Sequence, residues 1–235
     1  MKRIYITKML VMACVLSLAV QVHAALSFTS STTGGALSGA NYATFNSLTL
    51  GGVGGNSGSL SVSFAPVAQA VQGTTSTYAE PYVSGDNNNY FGGDYTGSDN
   101  TTYLTAGSDG DVNYPNSMVT LTFSKAQNYL GILWGSVDAY NTLSLYNNNV
   151  LVGQLTGSDV IADPNGNQVA GGTTYVNITG VTFDEVIATS SQYAFEFDNV
   201  AYSAVPESTT IIAGALLLLP LGASTLRVLR KQRLA

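Results

Sequence analysis

Val119-Thr120-Leu121-Thr122-Phe123, followed a few residues on by Tyr129-Leu130-Gly131-Ile132-Leu133-Trp134, decides the fold. In the first stretch apolar and polar residues alternate, the period-2 pattern of a strand with one buried face. The second is nearly continuous apolar, as expected of a central strand covered on both faces. Neither carries a helical period. Gly135-Ser136-Val137-Asp138 then turns the chain, since Gly, Ser and Asp accept turn conformations and supply local hydrogen bonds.

Moving toward the C-terminus, Leu143 and Leu145 alternate with Thr142 and Ser144. Asn147-Asn148-Asn149 predicts a hairpin turn, because Asn tolerates the left-handed region, and residues 150–155 return. Asp163-Pro164-Asn165-Gly166 is a second turn signal, and strands are expected in 175–181, 185–188 and 193–202. The last has a phase problem. Phe195 and Phe197 share a face, but Val200 and Tyr202 join them only if one residue is inserted. A bulge at Asp198-Asn199 supplies it. Toward the N-terminus, Leu60, Val62 and Phe64 form an alternating strand, and Leu26 and Phe28 open another in 25–31. Residues 30–59, rich in Gly, Ser, Thr and Asn, read as mostly irregular with one weak strand at 43–50, and 78–103 as a long polar loop studded with Tyr. Strands spaced about every 8–12 residues, Gly/Asn/Pro turns and no helical period predict an all-β domain, an antiparallel β-sandwich of jelly-roll type.

The two ends differ in composition from this domain. Lys2, Arg3 and Lys8 precede an apolar stretch, and Val22-His23-Ala24 places small residues at −3 and −1 of a cut before Ala25. This is the pattern of a signal peptide over 1–24. At the other end, residues 209–226 are uncharged and apolar and are followed by Arg227, Arg230, Lys231 and Arg233. As a helix at about 1.5 Å per residue the run covers roughly 27 Å, close to the thickness of a hydrocarbon core, and the basic residues after it belong on the cytoplasmic side. The expected division is therefore 1–24 signal peptide, 25–204 β-domain and 205–235 membrane segment.

Between the ends, one base (Lys125) faces thirteen of the fourteen acids, a net charge of −12 for residues 25–204. Such a surface repels nucleic acid and anionic lipid, and suits divalent cations. The only Cys is Cys14 and the only His is His23, both in the expected signal peptide. Catalysis by Cys–His or Ser-His-Asp, and zinc held by Cys or His, are thereby excluded from the domain.

The C-terminal segment resembles the PEP-CTERM sorting signal of exosortase-dependent bacterial surface proteins. The matching parts are Val205-Pro206-Glu207, a polar Ser-Thr-Thr spacer, the apolar run and the Arg-rich end, with Ser208 where a second Pro is usual. The domain also looks like a group of such proteins at Leu130-Gly131-Ile132-Leu133-Trp134-Gly135-Ser136-Val137-Asp138 and at Phe195-Glu196-Phe197-Asp198-Asn199-Val200. The resemblance implies export, anchoring in the inner membrane until exosortase removes the tail, and release to the cell surface or extracellular matrix. It implies no catalytic residues.

The remaining functional readings come from residue types. Tyr78, Tyr82, Tyr90 and Tyr95 lie among Asp, Asn, Gly and Ser. Their rings could stack on sugars, or pin the loop to the sheet, the simpler reading for most of them. Trp134, the only Trp, reads as a core anchor rather than a sugar platform. Asp109, Asp111 and Asn113 place oxygens at alternate positions, a calcium-like spacing without the Gly and Glu of an EF-hand, and Glu196 with Asp198 at the bulge is a second calcium candidate. A carboxylate glycosidase needs only two acids, for which Asp138, Glu196 and Asp198 are candidates by type; otherwise Asp138 caps a turn and Glu196 faces solvent. The expected function is non-enzymatic: a structural or adhesive component associated with exopolysaccharide, with a discrete carbohydrate-binding module as the alternative.

Overall fold

The structure, a computed structural model, describes residues 25–93, 95–107, 117–192 and 194–204. The expected signal peptide, the sorting segment with Val205, Pro206 and Glu207, the basic residues Arg227, Arg230, Lys231 and Arg233, and the Asp109/Asp111/Asn113 candidate all lie outside the described residues.

The described chain is mostly β, and its dominant feature is one large antiparallel sheet of 12 strands. The long strand forecast in two pieces is one element, Met118–Gly135. In the order of the chain it is the ninth strand, β9. Before it come β1 (Ser27–Ser31), β2 (Asn41–Ala43), β3 (Gly54–Ser57), β4 (Leu60–Phe64), β5 (Gln69–Val71), β6 (Tyr82–Val83), β7 (Gly97–Ser98) and β8 (Tyr103–Ala106). After it come β10 (Asn141–Asn147), β11 (Val150–Thr156), β12 (Thr174–Thr179), β13 (Phe183–Ser190) and β14 (Phe195–Ala204). β6 and β7 form a separate two-stranded ribbon. The only α-helix among the described residues is a single turn, Gly157–Val160.

β9 organises the sheet because its two halves have different neighbours. Residues 118–123 pair with β4 on one side and β13 on the other. Residues 129–135 pair instead with β12 and β14, and Gln127 stands between Phe183 of β13 and Ala204 of β14. Between the two halves the inward-facing parity flips. Val119, Leu121 and Phe123 enter the main core from the first half, and Leu130, Ile132 and Trp134 from the second. The register against β13 slips at the same place, with Phe183 opposite Gln127 but Glu185 opposite Thr122. This slip lets one strand present an apolar face at both ends. Strands flanking each half then contribute to a single apolar cluster, Leu60 and Val186 beside Val176 and Phe197, joined by Leu143 and Leu104 from the next strands out.

The turns obey local chemistry. Asn147 pairs with Val150, leaving Asn148 and Asn149 as a two-residue loop with φ of 48° and 63°. Both values belong to the primed turn that matches strand twist. The bulge expected in the last strand is present. Asp198 pairs with Leu133 and Ala201 with Gly131, so one extra residue sits on β14, where Asn199 takes φ 51°. The weak strand expected at 43–50 is instead β2, ending at Ala43.

A second, smaller apolar cluster covers the outer face of the β9–β12–β14 region. Tyr129, Leu133, Tyr175 and Ala201 meet Val83 and Phe91 from the polar loop. Gly131 is required here, since a Cβ would stand 2.4 Å from the Tyr129 hydroxyl and 2.8 Å from that of Tyr175.

Candidate functional site

β14 alternates Phe195 and Phe197 with Glu196 and Asp198, and all four are buried. The aromatic pair faces the main core, with Phe195 stacked on Trp134 at 4.3 Å and 16°. The acidic pair faces the other way, where the long loop lies over it. The loop is fastened to this face through successive polar residues of the strand. Glu196 Oε1 accepts from the Ala79 N–H at 2.9 Å. Asp198 Oδ2 accepts from the Thr101 hydroxyl at 3.1 Å. The Asn199 amide donates to Asn87 O at 3.2 Å and to Asn88 Oδ1 at 3.1 Å.

At one end of this face opens a cleft of about 210 Å³, lined among others by Tyr78, Asp138, Tyr140, Asn165, Gln168 and Glu196. Four segments build it. The β9–β10 turn carries Ser136, Asp138 and Tyr140, the 163–168 loop brings Asn165 and Gln168, the long loop gives Tyr78, and β14 gives Glu196. The turn is braced from behind, with Gly166 N–H donating to Val137 O at 3.0 Å and Val137 N–H to Gly172 O at 2.9 Å. Gly166 sits at φ 69° with the Asp138 carboxylate against it, so a Cβ there would lie 2.9 Å from Asp138 Oδ1. Ser136 is held at φ 30°, a strained value for a residue with a side chain. Its hydroxyl donates to Glu196 Oε2 at 2.7 Å.

The two carboxyls of the cleft differ in environment. Glu196 is almost fully buried, and burial pushes its pKa from the ordinary 4.5 up to about 8, against the pull of its Ser136 and Ala79 hydrogen bonds. Asp138 is also raised by burial, with the Tyr140 hydrogen bond pulling the other way. Burial and the nearby Asp138 push the Tyr140 phenol up. Glu196 thus does not face solvent as one sequence reading held; it forms the floor of the cleft with both oxygens occupied.

Further along the face, Asp198 meets Asp99. Asp99 Oδ1 accepts from the Thr101 hydroxyl at 2.7 Å, the Thr101 N–H at 3.0 Å and the Tyr95 phenol at 3.2 Å. Burial first, and then the Asp99 charge, raise Asp198 well above the usual carboxylate range. Asp99 was not singled out from the sequence, because nothing in its local pattern announces a partner on β14.

The structure disperses the four loop tyrosines. Tyr78 lines the cleft and meets Tyr103 edge-on at 6.2 Å. Tyr82 is half-buried in β6. Tyr90 is exposed and stacks on Tyr42 at 4.8 Å. Tyr95 is tied to Asp99, and burial with that charge pushes its phenol to about 12. Trp134 is wholly buried. Glu196 and Asp198 share a face, yet the oxygens of Glu196 are taken by Ser136 and Ala79 while Asp198 faces Asp99. Comparisons with protein-family models, curated proteins and solved structures give no match.

Proposed function

We propose that the chain is an exported cell-surface or extracellular-matrix protein that holds exopolysaccharide without cleaving it, and that the cleft at Tyr78, Asp138 and Tyr140 is its sugar-binding module. The folded-over sheet is read as a β-sandwich of jelly-roll type. In this reading the 205–235 segment anchors the protein in the inner membrane until exosortase removes it. The carrying observation is the lining of the cleft: two phenol rings beside a carboxylate and the side chains of Asn165 and Gln168. Rings offer faces to the C–H surface of a sugar, while carboxylates and amides take its hydroxyls. At about 210 Å³ the cleft is smaller than the roughly 300–1,000 Å³ of sites enclosing drug-sized ligands, which suits one ring of a longer chain. The charge of the domain favours a neutral polysaccharide over a polyanion.

Titration of the protein with neutral oligosaccharides from the host's own polysaccharide tests this. Saturable binding, competed by the intact polymer and weakened about tenfold or more (~1.4 kcal/mol) in Tyr78→Ala, is expected. Binding that is unsaturable, or unchanged in Tyr78→Ala and Asp138→Asn, refutes the cleft as the module.

One observation favours a second reading, a carboxylate glycosidase. Glu196, raised by burial to about 8, shares the cleft with Asp138, and a glycosidase needs two carboxyls in one cleft. Against it, both Glu196 oxygens are engaged within the protein. Release of reducing ends that is lost in Asp138→Asn and in Glu196→Gln would favour the enzyme.

A further inference from the structure

Asp99 and Asp198 are 1% and 0% exposed, their carboxyls lie within hydrogen-bonding reach of each other, and one oxygen of each, Asp99 Oδ2 and Asp198 Oδ1, meets no N–H or O–H donor of the protein. The Thr101 hydroxyl lies 2.7 Å from Asp99 Oδ1 and 3.1 Å from Asp198 Oδ2, but its single proton serves one of them at a time. Two adjacent buried carboxyls are costly unless a proton or a cation stands between them. The sequence supplies no side chain for this. The one Lys or Arg among residues 25–204 is Lys125, exposed on β9 and eight residues before Leu133, the strand partner of Asp198.

We propose that Asp99 and Asp198 bind a divalent cation of the calcium type through Asp99 Oδ2 and Asp198 Oδ1, and that the ion locks the loop bearing Asp99 onto β14. Two carboxylates balance a double charge. Among the described residues no third Asp, Glu, His or Cys joins them in a metal-binding group, so the other ligands are neutral oxygens, with the Thr101 hydroxyl the nearest. An all-oxygen set of tolerant geometry is calcium chemistry rather than that of zinc or copper. The Asp99 charge also raises the neighbouring Tyr95 phenol and the Glu80 carboxyl, each after burial, as expected of a negative pocket. The site is separate from the sugar cleft, and the metal alone is its probe, so either proposal can fail without the other.

The test uses the full-length chain in detergent, stripped with EGTA and titrated with calcium chloride. A rise in melting midpoint of about 5–10 °C at calcium a hundredfold above its dissociation constant is expected. Terbium, excited through tyrosine, should luminesce at the same site, with Tyr95 beside Asp99 as sensitiser, and calcium should displace it. Both signals should vanish in Asp99→Asn and in Asp198→Asn and persist in Asp109→Asn/Asp111→Asn. Should Asp198→Asn not fold, Asp99→Asn and the terbium displacement decide. A midpoint indifferent to calcium, the outcome of a proton shared between the carboxyls, overturns the proposal. So does a signal that survives in Asp99→Asn or is lost in Asp109→Asn/Asp111→Asn.

Discussion

Replacing Glu196 by Gln gives the sharpest check on the buried face. Its pKa is raised from 4.5 to about 8 because burial disfavours the charged form. In the unfolded chain the carboxyl ionises near its ordinary value, while in the folded chain it keeps its proton to about pH 8. The unfolded state therefore binds fewer protons between these limits, and stability falls as pH rises through that window. A displacement of roughly 3.5 pH units corresponds to about 5 kcal/mol, present below pH 4.5 and lost by about pH 8. The protonated acid has a close mimic in Gln. Its carbonyl can accept from Ala79 N–H as Oε1 does, and its amide can donate to the Ser136 hydroxyl, which lies 2.7 Å from Oε2. Urea unfolding of both proteins, followed by circular dichroism from pH 4.5 to 8.5 in EGTA, gives the difference curve. Asp198 and Glu80 are raised as well and contribute the same sign to both proteins, so subtraction removes them, while Asp138, whose charge helps to raise Glu196, stays part of the difference. Glu196→Gln should equal or slightly trail the wild type at pH 4.5 and exceed it by several kcal/mol at pH 8. Parallel curves would show that Glu196 ionises normally and is not the closed floor described above.

Two further outcomes follow from the packing. Trp134, fully buried against Phe195, should resist acrylamide quenching until the protein unfolds, and Trp134→Ala should cost about 3–5 kcal/mol in unfolding free energy. Asn199→Ala removes both donations to the loop and the side chain that tolerates φ 51°. It should cost about 2–3 kcal/mol and speed amide exchange in 84–91 ahead of the core strands; uniform exchange across the sheet would contradict the fastening role of Asn199.

The strands were legible where a local pattern fixes them. Alternation at Leu60–Phe64, the Asn148-Asn149 turn and the broken phase of Phe195, Phe197, Val200 and Tyr202 each point to one geometry, and the structure has all three. The union of 118–123 and 129–135 into β9 was not legible. The polar residues Ser124, Lys125 and Asn128 between them are exposed and break the apolar rhythm, although the backbone stays extended. β5 to β8 are two to four residues long and take their pairing from the sheet rather than from propensity. Of the site, Asp138, Glu196 and Asp198 could be named by type, as could Tyr78. That Asp198 meets Asp99, and that Glu196 lies beneath Tyr78 and Asp138, depends on long-range docking of a loop whose own sequence carries no periodicity.

β14 also has a mechanical meaning. It ends at Ala204 and lies between β9 on one side and β8 and β2 on the other. Tension drawn along the chain beyond residue 204 therefore enters through an interior strand, not an edge. An edge strand peels away one hydrogen bond at a time, whereas β14 must break two ladders together and strip the loop fastened to Glu196, Asp198 and Asn199.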